Sequence, residues 1–194
     1  MRILVLDNYD SFTYNLVYII RDLGYAKNMD VFRNDKISLP EVDEYDKILL
    51  SPGPGLPSEA GIMPELIKKF ASSKDILGVC LGHQAIGEAY GGGLINLTEV
   101  VHGVASKVKV QKDALFDGIP DSFTVGRYHS WVIDETTFPP ELEVMAKTPD
   151  GQIMAVRHKT HQVKGLQFHP ESILTENGVQ IIKNWIEGAT IKNQ

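Results

Sequence analysis

The sequence predicts an α/β fold: a mostly parallel sheet flanked by helices, with additional antiparallel strands in the second half. Three observations predict it. Short apolar runs in the first half alternate with segments of helical period. Those runs are apolar on consecutive residues, as strands covered on both faces require. From residue 94 onward the alternation stops, and short β-like runs follow one another.

Each element has a local reason. Residues 3–6 are all apolar and read as the first strand. Asp10 or Ser11 can cap the helix that follows, where Phe12, Leu16, Ile19, Ile20 and Leu23 share a stripe and Gly24 ends it. Residues 29–32 and 48–50 read as the second and third strands. The span 61–71 reads as a helix, with Pro64 tolerable in its first turn. Residues 76–79 form the fourth strand, and 81–90 a helix closed by Gly91, Gly92 and Gly93. The β-like runs of the second half are 106–110, 123–125, 131–133, 142–146, 153–156 and 163–168. A last helix near 175–187 carries Val179, Ile182, Trp185 and Ile186 on one stripe. No repeat, low-complexity tract or linker divides the chain, so one domain is expected over 1–194.

Composition narrows the function. The 194 residues contain one cysteine, which forbids an intramolecular disulfide and a Cys-x-x-Cys metal site. A net charge of −6 without a basic block argues against nucleic acid as a partner. No apolar run approaches the ~20 residues of a membrane span. The apolar stretch at the N-terminus is too short for a signal peptide and meets Asp7 at once. A cytoplasmic setting, where a lone thiol stays reduced, is the expectation.

That thiol sits in a distinctive place. Gly78-Val79-Cys80-Leu81-Gly82 has the form Gly-x-nucleophile-x-Gly at a strand-to-helix junction. Two glycines permit the tight, strained turn that lifts a nucleophile out of a sheet. The N-terminus of the following helix favours a thiolate, and the Leu81 N–H would face an oxyanion. A buried structural cysteine is the plain alternative. A thiol nucleophile needs a base, and the base an orienting partner. Of six histidines, His169 fits best, because it follows the last buried strand and Glu171 stands two residues on. A zinc site would want further ligands with suitable spacing, and none accompanies this pair. The stiff, bare loop Ser51-Pro52-Gly53-Pro54-Gly55 can bring N–H groups to an oxyanion, and it lacks the Gly-Lys-Ser/Thr ending of a phosphate loop. His83, three residues past Cys80, reads as a structural hydrogen-bonding residue. His158 and His161 read as exposed turn residues, Asp7 and Asp10 as helix caps, and Trp131, Phe168 and Trp185 as core.

Gly-Val-Cys-Leu-Gly-His-Gln (78–84), Ser-Pro-Gly-Pro-Gly (51–55) and Phe-His-Pro-Glu-Ser (168–172), in this order, resemble the class I, or triad, glutamine amidotransferases. With 7–15 (Asp-Asn-Tyr-Asp-Ser-Phe-Thr-Tyr-Asn) and 127–130 (Arg-Tyr-His-Ser), the chain is most similar to the small glutaminase subunits of chorismate-using synthases, in tryptophan or folate biosynthesis. The resemblance spans essentially the whole chain. It implies a flavodoxin-like sheet and a triad of Cys80, His169 and Glu171 acting on L-glutamine. It also implies an oxyanion held by the N–H groups of Gly53 and Leu81. Substrate contacts would fall on Gly53, Gly55, Leu81, Gln84, Ser130 and Trp131. Trp131 departs from the leucine of the family pattern, a change that a backbone contact survives. No cofactor is implied in this chain, and Mg2+ is expected only in the partner. That partner would be a larger chorismate-binding synthase subunit, in a heterodimer or heterotetramer. A stand-alone cysteine hydrolase, a redox sensor on a similar fold and a non-catalytic binding module are the rival readings. They leave the Pro-Gly-Pro-Gly loop, the Phe-His-Pro-Glu segment or the complete triad without a purpose.

Overall fold

In the computed structural model, which describes residues 1–188 apart from the side chain of Glu99, nine strands form one sheet in the order β2-β1-β3-β4-β9-β8-β7-β5-β6. The strands are β1 (Ile3–Asp7), β2 (Met29–Arg33), β3 (Lys47–Leu50), β4 (Asp75–Val79), β5 (Leu94–Val110), β6 (Ser122–Ile133), β7 (Leu142–Lys147), β8 (Ile153–His158) and β9 (Val163–Leu166). Strands β2, β1, β3, β4 and β9 are mutually parallel. The remaining pairings, from β9–β8 to β5–β6, are antiparallel. The parallel half has the doubly wound order of the flavodoxin-like fold. The last six residues of the expected single domain lie outside the described residues.

The helices are α1 (Thr13–Ile20), α2 (Leu39–Val42), α3 (Met63–Phe70), α4 (Leu81–Ala89) and α5 (Gly178–Glu187). They cover both faces of the parallel half. Ile3, Val5, Leu77 and Val79 pack with Leu16 and Ile20 of α1 and Ile182 and Trp185 of α5. Leu4, Leu6, Ile48 and Ile76 pack on the opposite face with Leu66 and Phe70 of α3 and Ile86 of α4. Successive strand residues point to opposite faces, so two apolar faces demand unbroken apolar runs. This is why residues 3–6 show no alternation.

Several elements differ from expectation. The runs 106–110, 123–125 and 131–133 belong to one long hairpin, β5–β6, whose register shifts between Asn96/Val101 and His102/Val104. Gly103 adopts φ +70° there, and Val100 and Val104 face outward. Such irregularity erases the period-2 signal on which a strand is recognised. The strand expected over 163–168 ends at Leu166 as β9. Beyond it Gln167 keeps one bond to the sheet, its N–H donating to the Met154 carbonyl of β8 (2.9 Å), before the chain turns away toward His169. The helix expected from 175 begins at Gly178. A Cβ there would lie 1.8 Å from the Pro170 oxygen, so only glycine lets α5 pass the segment that carries His169. α1 also stops at Ile20 before a wider turn over Arg21–Tyr25, in which Gly24 takes φ +96°. The four-residue α2 is too short to show a period and was not expected.

Candidate active site

All five parallel strands point the same way, and the site lies at their C-terminal ends, the general location of ligands in open α/β sheets. Cys80 sits between β4 and α4 at φ 52°, ψ −98°, a left-handed conformation for a non-glycine residue. Such strain costs about 1–3 kcal/mol and persists only where the surroundings enforce it. Here they do. The Cys80 N–H donates to the Leu166 carbonyl (2.7 Å), and the Cys80 carbonyl accepts from the Gln84 N–H (3.0 Å). A Cβ on Gly78 would lie 2.5 Å from the Gly82 backbone, and one on Gly82 would lie 2.7 Å from Leu50 Cβ. The two glycines therefore serve the elbow as the sequence suggested.

His169 is delivered by the segment after β9. Its N–H donates to the Gly126 carbonyl (3.0 Å), and Thr175 Oγ1 donates to the His169 carbonyl (2.6 Å). Its Nδ1 meets Glu171 Oε1 at 2.6 Å, with both side chains buried. Nε2 is left without a protein hydrogen-bond partner. Burial alone would push His169 down, but the Cys80 sulfur and the Glu171 carboxylate outweigh it and raise it to about 10. The imidazole thus favours its protonated form, beside the Cys80 sulfur and the Glu171 carboxylate. Tyr128 (5.0 Å, edge-on) and Phe12 (5.8 Å, edge-on) wall the ring.

A cleft of about 270 Å³ opens at Cys80. Gly53, Gly55, Gln84, Ser130 and Trp131 line it, so five of the six predicted substrate contacts converge there. The sixth, Leu81, lines the adjoining cavity, and its side chain lies where a Cβ on Gly53 would be, at 2.7 Å. Gly53 is equally close to Asn8, with a Cβ distance of 2.7 Å, so the loop after β3 approaches the elbow only because it is bare. Trp131 offers its carbonyl, which accepts from Gln84 Nε2 (2.9 Å) and faces His129 Nδ1 (3.1 Å). A backbone contact of this kind is indifferent to the leucine-to-tryptophan change.

Other histidines depart from expectation. His83 makes no hydrogen bond; it is fully buried with both ring nitrogens unpaired, wedged against Gly165, where a Cβ would lie 2.7 Å from Nδ1. His158 is buried, stacks on His161 at 4.2 Å and accepts from the N–H groups of Thr160 and His161. The expected caps of α1 are not formed: its N-cap position is Phe12, without a side-chain hydrogen bond, while Asp7 braces the preceding turn by accepting from Thr13 Oγ1 (2.9 Å) and the Tyr9 N–H (3.0 Å), and Asp10 accepts from the Phe12 N–H (2.7 Å). Sequence reasoning gave no role to Tyr128 or His102, which also line the cleft, or to Gln167; Tyr128 lies inside the quoted 127–130 motif and Gln167 next to 168–172, while nothing in the sequence marks His102. Among the described residues, no group of three or more His, Cys, Asp or Glu is placed to hold a metal, and no helix is long and apolar enough to cross a membrane.

Two neutral histidines give this site a pH signature. Burial lowers His83 to about 3, and burial with the Arg127 charge lowers His129 to about 3. The folded values lie below the unfolded value of about 6.5, so the unfolded chain binds more protons between them. Stability is intact above about pH 6.5 and falls as pH drops toward 3. Urea unfolding at about pH 5 should show a loss of about 2 kcal/mol per histidine relative to neutral pH. His83→Leu should remove one such increment, and an unchanged slope would show that His83 is already charged in the folded state.

Fold and site together define a cysteine-dependent amidotransferase. The model of the class-I glutamine amidotransferase family matches residues 4–189, and the chain belongs to that family. It is 47% identical to anthranilate synthase component 2 of Pyropia yezoensis, over 95% of this chain and 98% of the relative. It is 43% identical to aminodeoxychorismate/anthranilate synthase component 2 of Bacillus subtilis, over 95% of each. The bifunctional protein TrpGD of Thermotoga maritima is 45% identical over 95% of this chain, which spans 32% of that longer protein. A solved protein of Thermoplasma acidophilum superposes with a TM-score of 0.85 at 29% identity, covering 96% of this chain and 92% of the other.

Proposed function

We propose that the chain hydrolyses L-glutamine and delivers ammonia to a larger chorismate-binding subunit, as the glutaminase component of anthranilate synthase. The observation that carries this is the strained Cys80 elbow, which lines a cleft with Gly53 and Gly55 and interacts with the buried His169–Glu171 pair. The Cys80 thiolate attacks the side-chain carbonyl carbon of glutamine. The N–H groups of Gly53 and Leu81 hold the oxyanion that develops. The His169 imidazolium gives its proton to the departing nitrogen, and ammonia leaves. Neutral His169 then takes a proton from water, which hydrolyses the γ-glutamyl thioester to glutamate and free thiolate. Glu171 fixes the imidazole and offsets its charge. Gln84 commits its amide nitrogen to Trp131, which holds its side chain in the cleft wall.

The relatives' names support a synthase partner, and some carry the folate-type alternative, aminodeoxychorismate synthase. Nothing in this chain's own chemistry needs a cofactor; Mg2+ belongs to the partner in this reading. The partner should sit over the mouth of the cleft. Ile173 is 98% exposed and follows Ser172, whose Oγ meets the hydroxyl of Tyr128, a residue of the cleft lining, at 3.0 Å. Ile173→Asp should weaken the complex about tenfold, as loss of an apolar anchor does, and leave the isolated chain's hydrolysis of glutamine unchanged. Pull-down of the synthase, followed by product analysis with chorismate and glutamine, tests the whole reading. Anthranilate is the expected product. 4-Amino-4-deoxychorismate alone would move the chain to the folate branch, and no glutamine-dependent product would overturn the proposal.

A further inference from the structure

We propose that Gln167 is a catalytic residue, whose side-chain amide donates a hydrogen bond to the Cys80 sulfur and holds it charged and aimed. The inference rests on the reading of Cys80 as nucleophile and adds a group to it.

Gln167 is fully buried in the segment between β9 and His169. Its Nε2 lies 3.7 Å from Cys80 Sγ, and its Oε1 accepts from Gln84 Nε2 at 3.4 Å. An amide can be turned end for end, so the direction of these bonds has to be established from the neighbours. They fix it at every step. The Arg127 guanidinium, which keeps its protons, donates from Nε to His129 Nε2 (3.2 Å). His129 must therefore carry its single proton on Nδ1, which donates to the Trp131 carbonyl (3.1 Å). That carbonyl can only accept, so the Gln84 group 2.9 Å from it is the NH2. The same NH2 faces Gln167, whose near atom must then be oxygen. The Gln167 NH2 is left pointing at the sulfur.

The consequence is chemical. A donor favours the charged form of the atom it faces. The alternative for a neutral thiol is a long contact of 3.9 Å to the Tyr128 carbonyl. The groups facing Cys80 come from two elements. His169, backed by Glu171, and Gln167 come from the segment after β9. Tyr128 and His129, with Arg127 behind it, come from β6. Neutral His83 of α4 packs against Gly165 behind them. His169 must give up its proton during turnover, and the Gln167 amide does not. It therefore stays on the sulfur through the whole cycle, and adds to the imidazolium both in the resting thiolate and as the thiolate is expelled in thioester hydrolysis.

The single cysteine makes the test direct, because alkylation by iodoacetamide reads Cys80 alone. Gln167→Met keeps the volume and removes the donor. The pH of half-maximal alkylation should rise by about one unit, and kcat for glutamine should fall at least about tenfold with KM within about twofold. Gln84→Met, which frees the Gln167 amide to turn, should shift the alkylation profile the same way by a smaller amount. A folded Gln167→Met protein with the parental alkylation profile overturns the proposal. If that variant does not fold, an unshifted profile in Gln84→Met overturns it instead. A shifted profile in a chain that hydrolyses no glutamine, alone or with its partner, would uphold the role of Gln167 and sink the glutamine reading, so the two failures are separable.

Discussion

Cys80→Ala should abolish glutamine hydrolysis, with kcat falling about 10⁴–10⁶-fold, the range seen when a nucleophile acting as part of a unit is lost. The side chain is small and the fold should survive, although the backbone strain at φ 52° remains. With the partner added, synthesis from free ammonium should be spared, because the variant removes the source of ammonia and not its use. The comparison of glutamine-dependent with ammonium-dependent product formation checks this. Glutamine-dependent synthesis retained at even about 1% of the parental rate would mean that another group is the nucleophile.

The largest expected effect on stability lies at the other end of the sheet. Lys47 is completely buried at the start of β3. Its ammonium contacts Asp75 of β4 and donates to the Trp185 carbonyl at 2.9 Å, and Trp185 Nε1 donates to Asp75 at 2.9 Å. The cluster ties α5 to the middle of the parallel sheet. Burial pushes the Asp75 carboxyl up, and Lys47 opposes that shift. Lys47→Ala leaves a buried carboxylate without its cation, which costs about 3–5 kcal/mol. Lys47→Met combined with Asp75→Asn should recover most of that loss, since replacing a whole buried ion pair by neutral groups is nearly neutral. Urea denaturation of the three proteins decides it. Equal losses for the single and double variants would mean that packing, not charge, dominates at this site.

Much of the site was legible in the sequence because its demands are local. A nucleophile elbow needs glycines at fixed offsets, so Gly78, Cys80 and Gly82 announce it together. A base with its orienter needs a rigid spacer, and His169-Pro170-Glu171 supplies one. The parallel strands were legible because burial on both faces leaves runs such as 3–6 entirely apolar. What was hidden depends on neighbours far along the chain. Lys47 was placed outside its strand because a lysine reads as exposed; only Asp75, 28 residues on, makes its burial tolerable. His83 was expected to find a hydrogen bond, since nothing local says that Gly165 closes over it. Gln167 was read as one more strand residue, because its contacts to Cys80 and Gln84 cross 87 and 83 residues. The β5–β6 hairpin was seen only in fragments, because its register shifts break the alternation by which strands are recognised.

The central claim is that turnover passes through a thioester on Cys80. It is tested most directly by quenching the enzyme in acid during turnover of L-glutamine, with the synthase partner present, and mapping the adduct by mass spectrometry. A γ-glutamyl group on the peptide that contains Cys80, lost in the Cys80→Ala variant, is the predicted result. Glutamate released at the full rate with no adduct at Cys80 under any quench, or with the adduct on another residue, would contradict it.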